Sequence, residues 1–380
     1  MNERRLLDAI LQHGPLSRTA LCRTAGMAAP TITKAADSLL RRGLLEESDG
    51  PKHREHRIGR PVRLLQLAAR SASVIGIVID AGCCTVVPAG LDGRHTEHDA
   101  IRFATPDRYA DLLDELEKIC RGIAAGLRGR LHGIGISVPG LVDSRLAQVV
   151  CSPNLHLLDR QNPARDLEDR LGVTCRLFQE SHSLCLGESM FGAARGLANF
   201  AMLDVSTGLG LGVMSGGRLL IGSSGLAGEL GHMRIDPRGV RCGCGNRGCL
   251  ETLATDSALT RLVSEKLGRP LTSDEVIAGI RDGSISADEE LERTIEHLAV
   301  AASAVINIFN PSTLFVHGAM LSANDDVYPR FLDHVTRAAL TPSLTACCIV
   351  RARGSKRTGA LAGIIEHVTS TILPRMGGAS

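Results

Sequence analysis

Apolar residues recur with helical spacing at Leu6, Leu7, Ile10 and Leu11, and the stripe stops at Gly14-Pro15. Asn2 stands where it can cap this first helix. Ser17 heads a second helical segment closed by Gly26, and APTITKAADSLLRRG then sets Ile32, Ala35, Ala36, Leu39 and Leu40 on one face of a third. GLLEESDG and the segment 62–67 read as two strands around a polar tip, followed by a linker at 68–73. Beyond it the pattern changes to short apolar runs: VIGIVIDAGCC, a second strand ending at Leu91-Asp92-Gly93, LHGIGISVPGLVD, AMLDV and a final strand in STLFVHGAM. Helical segments alternate with them at 109–128, in the αβ unit 163–178, and in QESHSLCLGESMFGAARG, 256–267, 273–282, 288–309 and the terminal RTGALAGIIEHVT. The fold class is therefore α/β, with three helices and a wing ahead of two similar sheets that enclose a cleft.

A chain of 380 residues has room for two or three domains with sizeable cores. Hydrophobic residues at 44% and charged residues at 22% are ordinary for a soluble protein, and aromatics at 2% with no Trp argue against a base-stacking platform. The N-terminus, MNERRLLDAILQHG, lacks the apolar core of a signal peptide, and no run of about 18 apolar residues follows. The expected location is the cytoplasm, with no membrane partner. There, twelve cysteines read as thiols or metal ligands, Cys83 and Cys84 most simply as small core residues.

The net charge of +2 hides an asymmetry: residues 1–70 hold 13 Lys/Arg against 7 Asp/Glu. A basic head on an acidic body points to a polyanion met by the head alone. The first turn of the third helix carries Thr31, Thr33 and Lys34, the end at which a recognition helix enters the major groove. Arg41-Arg42 follow, and the wing tip offers Lys52, His53, Arg54, His56 and Arg57 for phosphates. Double-stranded operator DNA is the expected partner. A small helical bundle making only protein contacts is the alternative.

The densest chemistry lies in GELGHMRIDPRGVRCGCGNRGCLE. His232, Cys242, Cys244 and Cys249 form a complete tetrahedral set for Zn²⁺ with no position left for water, which favours a structural over a catalytic ion. A redox pair fits less well, because C-x-C is not the C-x-x-C spacing. Gly243, Gly245 and Gly248 let the loop turn its sulfurs inward. Glu229 and Glu251 bracket it and suit a polyhydroxylated ligand, or are simply surface charges.

GELGH with C-x-C-G-x-x-G-C-L-E, supported by SRTALCRTAGM, Gly59–Pro61 and GIGISVPGLVD, resembles the ROK family of repressors and kinases, in its regulator branch. The resemblance implies a winged helix-turn-helix over 1–70 and a two-lobed actin-like, ribonuclease H-like sugar kinase fold over 71–380, with a zinc loop at 232–249. It implies Zn²⁺ on the four ligands, sugar contacts from Glu229, His232 and Glu251, and homodimers or homotetramers. Two departures argue against a kinase. The D-x-G-x-T phosphate turn falls on Val78, Asp80 and Gly82, and a carboxylate ~4 Å from a phosphate costs about 4 kcal/mol at an effective dielectric near 20. The catalytic Asn-Asp pair falls on Gln179 and Glu180, so both are expected as ligand contacts, Glu180 is a degenerate base position, and no catalytic residue remains. The turn 206–210 resembles the family's other phosphate loop, although a tight hairpin is the simpler account. The expected function is that of a transcriptional regulator, a repressor of carbohydrate genes, whose cleft closes on a sugar or sugar derivative and so respaces two heads across a dimer. The alternatives are an active ATP-dependent sugar kinase with an appended head, a regulator controlled by a protein partner, and an adaptor without DNA contact.

Overall fold

Three short helices open the chain: α1 (Asn2–His13), α2 (Arg18–Ala25) and α3 (Ala29–Arg41). Asn2 lies inside α1 and does not cap it. Ser17 caps α2 by accepting from the Ala20 amide at 3.1 Å, and Gly26 ends it in the left-handed region. Leu6, Leu7, Ile10, Ile32, Ala35, Ala36 and Leu39 are buried, as the periodicity requires, while Leu11 and Leu40 are half-buried. The strands β1 (Leu16–Ser17), β2 (Leu45–Asp49) and β3 (Arg63–Leu67) form an antiparallel sheet in the order β1-β3-β2, which completes a winged helix-turn-helix. The computed structural model describes residues 2–49, 62–69, 71–127, 129–352 and 354–371. The wing-tip residues Lys52, Arg54 and Arg57 lie outside them.

The body holds two sheets of the same design. In the first lobe, β4 (Ala72–Val78), β5 (Cys83–Gly90) and β6 (Ile101–Ala104) form an antiparallel meander. After α4 (Tyr109–Gly126) come β7 (Arg130–Val138), the small hairpin β8 (Leu141–Asp143) and β9 (Gln148–Cys151), α5 (Pro163–Leu171) and β10 (Cys175–Gln179). Parallel pairing of β4 with β7 and β7 with β10 gives the order β10-β7-β4-β5-β6. Helix α6 (Glu180–Phe191) then crosses to the second lobe.

There β11 (Phe200–Asp204), β12 (Gly210–Ser215) and β13 (Arg218–Leu219) repeat the meander. Helices α7 (Asp256–Leu267), α8 (Ser273–Asp282) and α9 (Asp288–Phe309) precede β14 (Thr313–His317). The chain continues through α10 (Val327–Ala338), α11 (Thr341–Thr345), β15 (Cys348–Arg351) and α12 (Lys356–Thr371). The order β13-β12-β11-β14-β15 is that of the first sheet with its strands renumbered. The strand in STLFVHGAM is therefore the penultimate one, and β15 closes the sheet.

Two further expectations change. Strand β4 begins at Ala72 and ends at Val78, so the linker stops short of Ser73, and the turn at Asp80 to Gly82 separates β4 from Cys83. Cys84 is buried in the first-lobe core, but Cys83 is exposed at the mouth of that turn.

The head does not hang free. Ala68 donates to the Leu44 carbonyl and accepts from the Leu91 amide, at 3.0 and 2.8 Å, and Ser71 donates to Gly43 O at 3.0 Å. One buried apolar cluster runs from Leu6, Ile32 and Leu65 through Ala68 and Leu91 to residues of α6 and α12. The other two clusters fill the outer sides of the two lobes.

Candidate functional site

The C-terminal ends of the parallel strands face one another across the lobe junction, where ligands of open α/β sheets bind. From the first lobe, Pro139, Gly140, Pro153 and Asn154 line this cleft. Gln179, Glu180 and Ser181 form its floor, and Asp204, Thr207, Gly208, Glu229, His232 and Glu251 come from the second. All five residues expected to meet a ligand are thus brought together. The cavity is narrow, at about 60 Å³.

Local contacts fix each group. Gln179 ends β10, and its amide donates to Glu229 Oε1 at 2.7 Å, which aims one carboxylate into the cleft. Gln179 Oε1 and Ser181 Oγ are buried without a hydrogen-bond partner among the described residues. The turn at 206–210 owes its glycines to close approach, not to positive φ. A Cβ on Gly208 would lie 3.1 Å from both Asn154 Nδ2 and Glu251 Oε2, and one on Gly210 would lie 3.0 Å from Ser181 Cβ.

The His/Cys loop forms the outer wall. Donor atoms of His232, Cys242, Cys244 and Cys249 lie within 4.8 Å of one another. Cys242 Sγ is 3.7 Å from His232 Nδ1, and Cys244 Sγ is 3.7 Å from Cys249 Sγ. A tetrahedral ion with metal–sulfur bonds of about 2.3 Å spaces its ligand atoms about 3.8 Å apart, so the donor set fits one. Because Nδ1 faces the sulfurs, Nε2 is left toward the cleft, 3.7 Å from Glu229 Oε2. Glu251 Oε1 accepts the Cys242 thiol hydrogen at 2.8 Å and lies 3.6 Å from His232 Nδ1. Gly248 has φ +67°, and a Cβ there would sit on the Asp236 carbonyl oxygen. Gly243 packs in the same way against Pro153 of the opposite lobe.

Behind the cleft lies a charge cluster that the sequence reading missed. Lys356, the first residue of α12, has its ammonium 2.8 Å from Glu180 Oε1 and 3.0 Å from Asp80 Oδ2. Burial is the largest influence on Glu180 and pushes its carboxyl up to about 7, with the Lys356 charge opposing. Burial also opposes the Lys356 charge, but Glu180, Asp204 and Asp80 outweigh it and hold the ammonium above its usual range. Asp204 accepts from Ser206 at 2.9 Å and pairs with His317 at the same distance. These partners and Lys356 overcome its burial and hold its carboxyl below the ordinary range. The bare repulsion expected from Asp80 is therefore corrected: its carboxylate is paired, and the turn at Asp80 is closed by an ion cluster.

The head carries a second candidate face. Thr31, Lys34 and Arg41 line one shallow groove with Asn2, Glu3, Pro30 and Ser38. Thr33 is exposed, but its hydroxyl donates to the Ala29 carbonyl at 3.0 Å, leaving mainly its methyl outward. Arg42 pairs with Glu3 at 3.1 Å.

A model of the ROK family matches residues 76–370, and a MarR family model matches residues 1–54. The chain belongs to the ROK family. It is 29% identical to the DNA-binding transcriptional dual regulator NagC of Escherichia coli K12, over 97% of this chain and 92% of that protein. It is also 29% identical to the xylose repressor of Bacillus spizizenii, over 85% and 83%. Among solved structures, a ROK family transcriptional regulator described as a homolog of E. coli MLC superposes with a TM-score of 0.80 at 27% identity, covering 98% of this chain and 97% of that one. Both lobes and the winged head of this ROK chain thus have a counterpart in one solved regulator. Of the charged residues in and behind its cleft, Lys356 had no local signal in the sequence. Asp204 did have one, its place at the C-terminal end of a strand.

Proposed function

We propose that this chain is a DNA-binding transcriptional repressor whose ROK body senses a sugar or sugar derivative without phosphorylating it. The observation that carries this reading is the convergence of Glu229, His232 Nε2 and Glu251 in one cleft of a chain that also bears a winged head. Carboxylates accept from neighbouring hydroxyls, and a metal-held imidazole donates in a set direction. The unpartnered Gln179 Oε1 and Ser181 Oγ add two acceptors that a ligand hydroxyl would satisfy. A cavity of about 60 Å³ has room for a few waters, so a pyranose enters by parting the lobes. In this reading the sugar acts as a wedge, in place of the closure expected from sequence.

The ion assigned to His232, Cys242, Cys244 and Cys249 is structural Zn²⁺, which braces the wall that carries Glu229 and Glu251. Thr31, Lys34 and Arg41, with the wing, are assigned to operator DNA, and Thr33 contributes mainly its methyl. Residues 1–70 and 71–380 are the two functional parts, and two copies sharing a two-fold axis would read paired half-sites. A phosphoryl-transfer role has less support: Val78 and Gly82 offer no side-chain carboxylate or hydroxyl to a metal-bound phosphate, and Glu180, the base position, is engaged by Lys356.

Thermal-shift screening of the full chain against xylose, glucose, N-acetylglucosamine and their phosphate esters tests the sensor. One of them is expected to stabilise it by about 2.7 kcal/mol at 100 times its Kd. Stabilisation by ATP with Mg²⁺ and by no sugar would contradict the reading.

A further inference from the structure

Lys356 places a cation at the N-terminus of α12, where the helix already carries partial positive charge, and its side chain is only 15% exposed. Such a placement needs anions around it. Asp80 comes from the first lobe and Glu180 from the first residue of α6, with Asp204 of the second lobe adding its charge. Glu180 therefore has two faces, one lining the effector cleft and the other holding Lys356.

From this shared start α6 and α12 run together. A Cβ on Gly359 would lie 2.6 Å from the Ser183 backbone, and one on Gly187 would lie 3.1 Å from the Gly359 amide nitrogen. The Gly354 amide, just before α12, donates to Glu188 of α6 at 2.9 Å. Backbones this close have no soft layer between them, so a shift of one helix is felt by the other. Both helices end beneath the head. Just past α6, Arg195 donates to the Leu11 carbonyl of α1 at 3.3 Å, and Met190 and Phe191 face Ile10 and Leu11 across a cleft of about 270 Å³. Near the end of α12, Val368 faces Leu44 and Arg42 across a second cleft, of about 490 Å³. The head is seated on two helix ends with a gap at each.

We infer that Lys356 is the positioning residue that couples the effector cleft to the DNA-binding head. A sugar hydroxyl bonded to Glu180 draws that carboxylate from Lys356, α6 and α12 shift together, and the head tilts on their far ends. The inference rests on the sugar-sensing reading above.

Lys356→Met and Lys356→Arg in the full chain test it. Sugar binding is read by calorimetry with N-acetylglucosamine and xylose, and operator release by anisotropy of labelled promoter DNA. In the unaltered chain, sugar weakens operator binding and operator weakens sugar binding by the same factor. K356M is expected to bring the mutual factor about tenfold closer to one, whatever its separate affinities for sugar and operator; K356R restores it. A K356M protein with undiminished coupling would overturn the inference. If the unaltered chain itself binds no sugar, the sugar reading fails, and the coupling falls with it.

Hydrogen exchange on the unaltered chain covers the case in which K356M does not fold. Sugar is expected to change exchange in α6, α12 and the head segment 63–68 together. A change confined to the cleft loops would overturn the coupling.

Discussion

Gly248 and Cys244 show how individual residues build the outer wall of the cleft. Gly248 holds a left-handed backbone against the Asp236 carbonyl oxygen, which leaves no space for a side chain, and the turn it makes carries Cys249 back toward Cys244. This part was legible, because four ligand-type residues and interleaved glycines fall within one short stretch. If the loop holds structural zinc, the purified chain contains one zinc ion per copy, and Cys244→Ser lowers both that ratio and the melting temperature. Structural zinc can stabilise small domains by about 10 kcal/mol or more, and this larger core should depend on it less. Metal analysis with thermal melting checks it, and a variant that keeps its zinc and its stability would refute the assignment. The ion cluster was not legible. Lys356 lies 276 residues from Asp80, and only the packing of α12 against the first sheet brings the two together.

Among the elements, the boundaries of α7, α8 and α9 follow from local chemistry. Thr255 and Thr272 cap their helices, and Gly268, Gly283 and Asn310 end them in the left-handed region. Helix α10 was passed over in the sequence although it carries a stripe at Val327, Phe331 and Val335, whereas β15 is a four-residue edge strand too short for a period to declare itself. Asp256, the first residue of α7, ties that helix to the loop after β14 by accepting from the Ala319 and Met320 amides, at 2.7 and 2.9 Å. Burial raises its carboxyl from 3.8 to about 6, although those amides oppose the rise. The folded chain therefore holds this proton more tightly than the unfolded one. The resulting stabilisation is complete below about pH 3.8 and is lost as pH rises through about 6, a difference of about 3 kcal/mol. Asp256→Asn, which has no such proton, should flatten the stability profile over that window in urea titrations. An unchanged slope would show that the group is not responsible. On the head, Lys34→Ala and Arg41→Ala should weaken operator binding at all sequences and reduce the salt slope by about 1 each. Unchanged slopes would move the DNA face away from α3.

At the scale of the whole molecule, two sheets of one topology meet at a cleft, and the chain adds a winged head to one side. The alternation of apolar runs with helical segments made the two-lobed plan readable, and the basic excess in 1–70 marked the head. The close seating of that head was hidden, because it depends on Ala68, Leu91 and the ends of α6 and α12, which are unremarkable in sequence. In the proposed coupling this seating carries a bound sugar's effect to the DNA, since a freely tethered head would bind its operator regardless of cleft occupancy. The most direct test is anisotropy of labelled promoter DNA with the full chain while xylose, N-acetylglucosamine or a phosphate ester is titrated in at fixed salt. The account predicts that the sugar giving the thermal shift also releases the operator, at matching concentrations. Operator affinity unmoved by a sugar that demonstrably binds the cleft would contradict it.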